Sequence, residues 1–229
     1  TGAIAVRTGL HCNTVRDPGK IISYYERLGA AARGTPCKVL EGNGPLFDRL
    51  KSMGVVLVFR NYRNPQDLGD RSFVAELLKI AREYPQIDYF EGFNEDFQFG
   101  NDLARYAEYE IGRMKAFDDS GVGAKCIIGC FSVSQLQDNE WHLFRPALEY
   151  AHPRRHALGL HEYSGPYMQW MTGENQWNHP HGPPKRIDDP CLDPTIEGWC
   201  DLKYRRAYRL HLEPWGLGDL PLFITENGV

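Results

Sequence analysis

Nothing in this amino-acid sequence comes close to a membrane span, because no run approaches the ~18 or more apolar residues such a helix needs. There is no internal repeat, no low-complexity tract and no linker. The start carries no charged-then-apolar leader but opens on strand-like sequence, so a leader either has been removed or never existed. Basic charge is not in excess: 26 Lys and Arg face 30 Asp and Glu, a formal net charge of -4, which argues against a nucleic-acid partner. The first apolar run is not followed by GxGxxG but by His11-Cys12-Asn13-Thr14, so a dinucleotide-binding sheet is disfavoured. None of the six cysteines forms a CxxC pair, which removes the zinc-ribbon and thioredoxin signatures. Cys126 and Cys130 share one predicted strand and stand too far apart to bridge. Cys191 and Cys200 flank a Pro-bearing loop, where either a disulfide or two buried thiols fits; a disulfide would point to an oxidising compartment.

What is present is alternation. Apolar runs at Ala3–His11, Lys38–Glu41, Gly54–Tyr62, Ile87–Glu95, Lys125–Val133, Ala157–Tyr163 and Pro221–Thr225 read as strands. Between them lie stretches with apolar residues three and four apart: Gly19–Arg33, Leu46–Met53, Ser72–Tyr84, Asp102–Phe117, Glu140–Tyr150 and Leu202–Leu212. Strict β-then-α order implies a parallel sheet with helical crossovers. Ionisable residues close nearly every predicted strand, among them His11, Glu41, Arg60, Glu95, His161 and Glu226. A ring of such groups is what the top face of a (β/α)8 barrel displays, so one barrel domain over 1–229 is expected. The eighth β/α unit is missing after the seventh strand, and the natural chain is expected to continue.

The residues 164–199 are too many for a simple connection and are expected to form an ordered lid or binding loop. Its His179-Pro180-His181 step lacks convincing companion ligands, so loop packing is expected there rather than metal.

Two carboxylates stand out. Asn94-Glu95 ends the fourth strand, and Thr225-Glu226-Asn227-Gly228 stands at the end of the seventh. On a barrel both face one mouth, and carboxyl groups ~5–5.5 Å apart are the geometry of double displacement at an anomeric carbon. One attacks; the other, kept protonated, serves the leaving oxygen and then water.

The pairing of Asn94-Glu95 with Ile224-Thr225-Glu226-Asn227-Gly228 resembles clan-A glycoside hydrolases, retaining (β/α)8 enzymes. His161-Glu162-Tyr163 on the sixth strand resembles the His-x-Tyr of several of its families, such as 5 and 39. The wider runs EGFNE and LGLHEYSGP also look like little-described barrel proteins related to that clan. The resemblance covers the fourth to seventh strands and implies Glu95 as acid/base and Glu226 as nucleophile. It implies Asn94 on the sugar 2-hydroxyl, Tyr163 bonded to the nucleophile, and His161 lining the reacting subsite. One departure is Asp96, where many members carry proline; its carboxylate either raises the acid's pKa or points to solvent.

His11, Arg60 and Glu41 are placed to bind sugar hydroxyls or orient a carboxylate, with packing or surface ion pairs as the alternative. Trp170 and Trp177 are candidates for stacking on sugar faces; Trp141 and Trp215 read as packing residues. Glu91 shares strand parity with Glu95 and is expected to be buried and structural, as is Glu162. The expectation is therefore an extracellular or cell-surface retaining glycosidase on a β-linked oligo- or polysaccharide, needing neither metal nor organic cofactor. The alternative is a barrel that binds carbohydrate or a protein partner without catalysis. A metal-dependent barrel enzyme would need clustered His and carboxylate ligands at the mouth.

Overall fold

The computed structural model describes residues 7–133, 135–163 and 203–228. Its strands are β1 (Leu10–Cys12), β2 (Pro36–Val39), β3 (Val56–Phe59), β4 (Tyr89–Glu91), β5 (Lys125–Phe131), β6 (Ala157–Tyr163) and β7 (Leu222–Gly228). They lie in one seven-stranded sheet in chain order, and the pairings of β1 through β5 and of β6 with β7 are parallel. Helices α1 (Pro18–Leu28), α2 (Gly44–Ser52), α3 (Arg71–Glu83), α4 (Gly100–Asp119), α5 (Trp141–Ala151) and α6 (Lys203–Ala207) alternate with them. Parallel strands taken in order with a helix between each is the (β/α) barrel arrangement read from the sequence. Among the described residues no helix is long and apolar enough to cross a membrane.

Local chemistry accounts for the helix starts. Asp17 accepts from the Lys20 backbone N–H with Pro18 in the first turn, Asn43 from that of Leu46 with Pro45 following, and Asp70 from that of Ser72. Such caps satisfy backbone donors that the helix itself leaves orphaned. Phe73, Leu77 and Ala81, four residues apart, form the buried stripe of α3.

The chain divides into two compact units: Thr1–Gly92 with Arg113–Ile127, and Phe93–Gly112 with Ile128–Val229. In the first, Phe59, Phe90 and Phe117 pack ring to ring at 5.6 and 5.5 Å. The fully buried Arg113 donates to the backbone carbonyls of Phe90 in β4 and Ile127 in β5, so its charge is shared between two neighbouring strands. Lys38 of β2 and Glu91 of β4 form a buried ion pair at 2.9 Å, which gives Glu91 the structural role expected of it.

In the second unit Phe131, Trp141 and Phe144 form an edge-on aromatic cluster, and Tyr106 donates its hydroxyl to the carbonyl of Gly129. Trp141 is buried, whereas Trp215 is half-buried with Arg145 over its ring. Glu162 is buried and accepts from the Tyr204 N–H at 2.7 Å, tying β6 to the first turn of α6. Asp138 binds Arg206, whose Nε lies 3.1 Å from both carboxylate oxygens, and has His211 at 3.6 Å. Burial pushes the Asp138 carboxyl up, but hydrogen bonds from His211 and Arg206 and their charges hold it well below the usual carboxylate range. A lowered folded value adds stability above the ordinary aspartate range near ~4 and loses it as pH falls through the folded value. Asp138→Asn is therefore expected to lower Tm at pH 7, with the gap to the parent closing as pH falls well below ~4. A gap that stays constant with pH would mean the charge plays no part.

Candidate active site

Glu95 does not sit at a strand end. Strand β4 stops at Glu91, and Glu95 lies four residues on, in the β4–α4 loop, with φ +54°. Phe97 follows with φ +56° and Gly100, the first residue of α4, with φ +50°, so the chain enters the left-handed region three times within six residues. Non-glycine residues enter that region at a cost, and only when the surroundings over-determine it. Here the Glu95 N–H donates to the Cys130 carbonyl at 3.1 Å, and its own carbonyl accepts from Gln98 Nε2 at 3.0 Å. Gln98 is buried, and its Oε1 accepts from the Ser132 N–H at 2.7 Å. Gln98 thus clamps the loop to the end of β5.

Glu226 is positioned by an irregularity. Leu160 pairs with Ile224, but the next residue of β6, His161, pairs with Glu226, leaving Thr225 as an extra residue in β7. Such a bulge re-aims the following side chain, and bulges concentrate beside active sites. It sets Glu226 directly across the ladder from His161. β7 itself runs past its expected end at Thr225 to Gly228.

These elements converge on one constellation. His161, its side chain wholly buried, has Nδ1 2.6 Å from Glu95 Oε1 and 3.8 Å from Glu226 Oε2. One carboxylate oxygen from each glutamate and the imidazole nitrogen all lie within 4.8 Å of one another. Both carboxylates are partly exposed, at 26% for Glu95 and 23% for Glu226, so solvent can reach them. The Tyr163 hydroxyl donates to Glu95 Oε1 at 3.1 Å; the bond expected on Glu226 is made to the other carboxylate. Tyr163 follows His161 by two residues on β6, so parity puts both on one face, and from there the hydroxyl reaches Glu95. Burial first, then the Glu95 charge and hydrogen bond and the Glu226 charge, push the Tyr163 phenol up to about 12. It stays a donor throughout the neutral range.

The chain is similar in fold to a glucanase. CJP38, a β-1,3-glucanase and allergen of Cryptomeria japonica pollen, matches with a TM-score of 0.55 at 13% identity, covering 97% of this chain and 74% of its own. At that identity the likeness is one of fold, a (β/α) barrel. No protein-family model and no curated protein matches the chain.

Of the other residues read from the sequence, Asn94 is half-buried beside Glu95. Asp96 is exposed and accepts from the Phe97 N–H at 2.9 Å. His11 in β1 and Arg60, just after β3, belong to the first compact unit. Glu41 is there too, accepting from the Val15 N–H at 3.0 Å, a loop-fixing role. Trp170, Trp177, the His179-Pro180-His181 step and the Cys191–Cys200 pair lie outside the described residues. Gln98 and Phe99 are not among the residues expected at the site. The available signal was three phenylalanines, Phe93, Phe97 and Phe99, bracketing one glutamine in an otherwise acidic loop.

One histidine and two carboxylates are also a donor set that suits a divalent ion. Two atoms bound to one zinc-sized ion at ~2.0–2.1 Å must stand roughly 3 Å or more apart in a regular shell. His161 Nδ1 and Glu95 Oε1, at 2.6 Å, are closer than that and make a hydrogen bond.

Proposed function

We propose that this chain is a retaining glycoside hydrolase that cleaves β-linked oligo- or polysaccharides outside the cell by double displacement. Glu226 is the nucleophile and Glu95 the acid/base. The observation that carries this reading is two accessible carboxylates with oxygens within 4.8 Å of each other. That closeness supports the ~5–5.5 Å spacing of retaining enzymes over the ~6.5–9.5 Å of inverting ones.

In the first step Glu226 attacks the anomeric carbon while protonated Glu95 gives its proton to the departing oxygen. In the second, Glu95 takes a proton from water, which displaces Glu226 and restores the starting configuration. Tyr163 and His161 orient Glu95 between its two roles. Asn94 is assigned to the sugar 2-hydroxyl.

The non-catalytic alternative gains if the carboxylates are far apart or walled off; neither describes Glu95 and Glu226. The test is a screen of aryl β-glycosides and β-glucans, including β-1,3-glucan, with the product's anomeric configuration followed by NMR. Retention, unaffected by a chelator, is expected. Inversion, loss of activity on chelation, or no hydrolysis of any substrate would overturn the reading.

A further expected result concerns the loop. Gln98→Ala frees both the Glu95 carbonyl and the Ser132 N–H, letting the carboxylate drift. A misplacement near ~1 Å can cost about 10²-fold, so kcat is expected to fall about 10- to 100-fold. Circular dichroism should remain that of the parent. An unchanged kcat would show that the clamp is not needed for positioning.

A further inference from the structure

Beside Glu95 the β4–α4 loop encloses a half-open cavity of about 180 Å³, lined by Glu95, Asp96, Phe97, Gln98, Phe99 and Asp102. A cavity of ~150 Å³ accommodates benzene, so this one has room for a single six-membered ring. The two aromatic residues in its wall behave differently. Phe97 is packed inward, its ring 5.6 Å from Phe93 and 5.9 Å from Tyr106. Phe99 is 58% exposed. It has no ring partner among the described residues. Keeping a phenylalanine face in water forfeits burial free energy, which a ligand covering that face at the rim of the cavity would recover.

We infer that this cavity is the subsite for the leaving-group sugar, with Phe99 as its stacking platform, and that it takes a ring bearing no acidic substituent. The inference rests on the glycosidase reading above. The acid/base must touch the oxygen that joins the two sugars, so the ring on the departing side lies against Glu95, and the cavity for which Glu95 forms one wall meets that condition. A pyranose offers a C–H-rich face to an aromatic ring and hydroxyls at its edge to polar partners. Asp96 and Asp102 supply acceptors at that edge. Asp102 is held by Arg105 at 3.1 Å, at the surface, and the lining itself holds three carboxylates and no basic side chain. A neutral ring is accepted there, a cationic amino sugar is favoured, and a uronate meets like charge.

The test is direct binding by isothermal titration to the whole chain, with three disaccharide probes: laminaribiose, the glucosamine disaccharide and digalacturonic acid. Backbone NMR signals of Phe97 to Phe99 report whether each probe reaches the loop. The first two probes are expected to bind and shift those signals, and digalacturonate to bind at least about tenfold more weakly. Phe99→Ala should weaken laminaribiose about tenfold, the size of one good stacking contact. Phe99 is exposed, so this variant keeps its fold. Asp96→Asn with Asp102→Asn should strengthen digalacturonate severalfold relative to laminaribiose, so that the gap between the two probes narrows. Equal laminaribiose affinity in Phe99→Ala, no loop shifts with any probe, or uronate binding as tight as the neutral probe would overturn the inference. Because binding is read without turnover, the two readings fail separately. Phe99-dependent binding with no hydrolysis removes the catalytic roles and leaves the subsite, whereas Glu226-dependent hydrolysis with Phe99-independent binding does the reverse.

Discussion

Glu226→Ala is expected to abolish turnover, and added azide to restore part of it while yielding a glycosyl azide of inverted configuration. Removing a covalent nucleophile can cost up to about 10⁶ in kcat, so a loss of at least about 10⁴ is anticipated. Azide is small enough to occupy the space of the missing carboxylate and attack the anomeric carbon once, which inverts it. Glu95→Ala should behave differently. General acid–base help contributes about 10²–10⁴, and substrates with good leaving groups need little of it in the first step. For those the glycosyl-enzyme should form quickly and accumulate, and azide should then give a product of retained configuration.

The contrast between the two variants matters because the hydrogen bonds alone do not divide the roles. Tyr163 and His161 both face Glu95 Oε1, and donors to a carboxylate favour its ionised form. Read by itself, that would make Glu95 the better nucleophile and Glu226 the acid. The motif resemblance points the other way. Inverted azide product from Glu95→Ala and retained product from Glu226→Ala would exchange the assignments while leaving double displacement intact. Full activity in both variants would end the enzymatic reading.

The sequence made the strand–helix alternation legible because each signal is local. A capping Asp or Asn, a proline in the first turn and apolar residues three or four apart all lie within one helix, as α1 to α3 show. The two carboxylates were legible as candidates for the same reason, since each sits just beyond an apolar run. Their exact settings were not. Glu95 was expected on a strand, and its left-handed backbone depends on Cys130 and Ser132, more than thirty residues distant. Glu226 was expected after β7, and it lies within β7 because of a one-residue slip against β6 that no local pattern encodes. Tyr163 could be placed on the right face of β6 by parity, but parity cannot say which of two nearby carboxylates a flexible phenol meets. What escaped prediction at the site was long-range in each case.

Away from the site, Lys38→Met is expected to be strongly destabilising. Lys38 and Glu91 keep only 5% and 1% of their side-chain surfaces exposed, so neither charge can fall back on water. Breaking such a pair by removing one partner typically costs about 3–5 kcal/mol, because the survivor is left buried and uncompensated. A domain with about 5–15 kcal/mol of total stability would lose a large share of it. Urea unfolding should show the midpoint fall steeply in Lys38→Met and in Glu91→Leu. The double variant should recover much of the loss, since apolar replacement of both partners removes the desolvation cost together with the attraction. That non-additivity identifies a coupled pair. Losses that simply add in the double variant would mean that each side chain is held by other neighbours. The ion pair would then be incidental to the packing of β2 and β4.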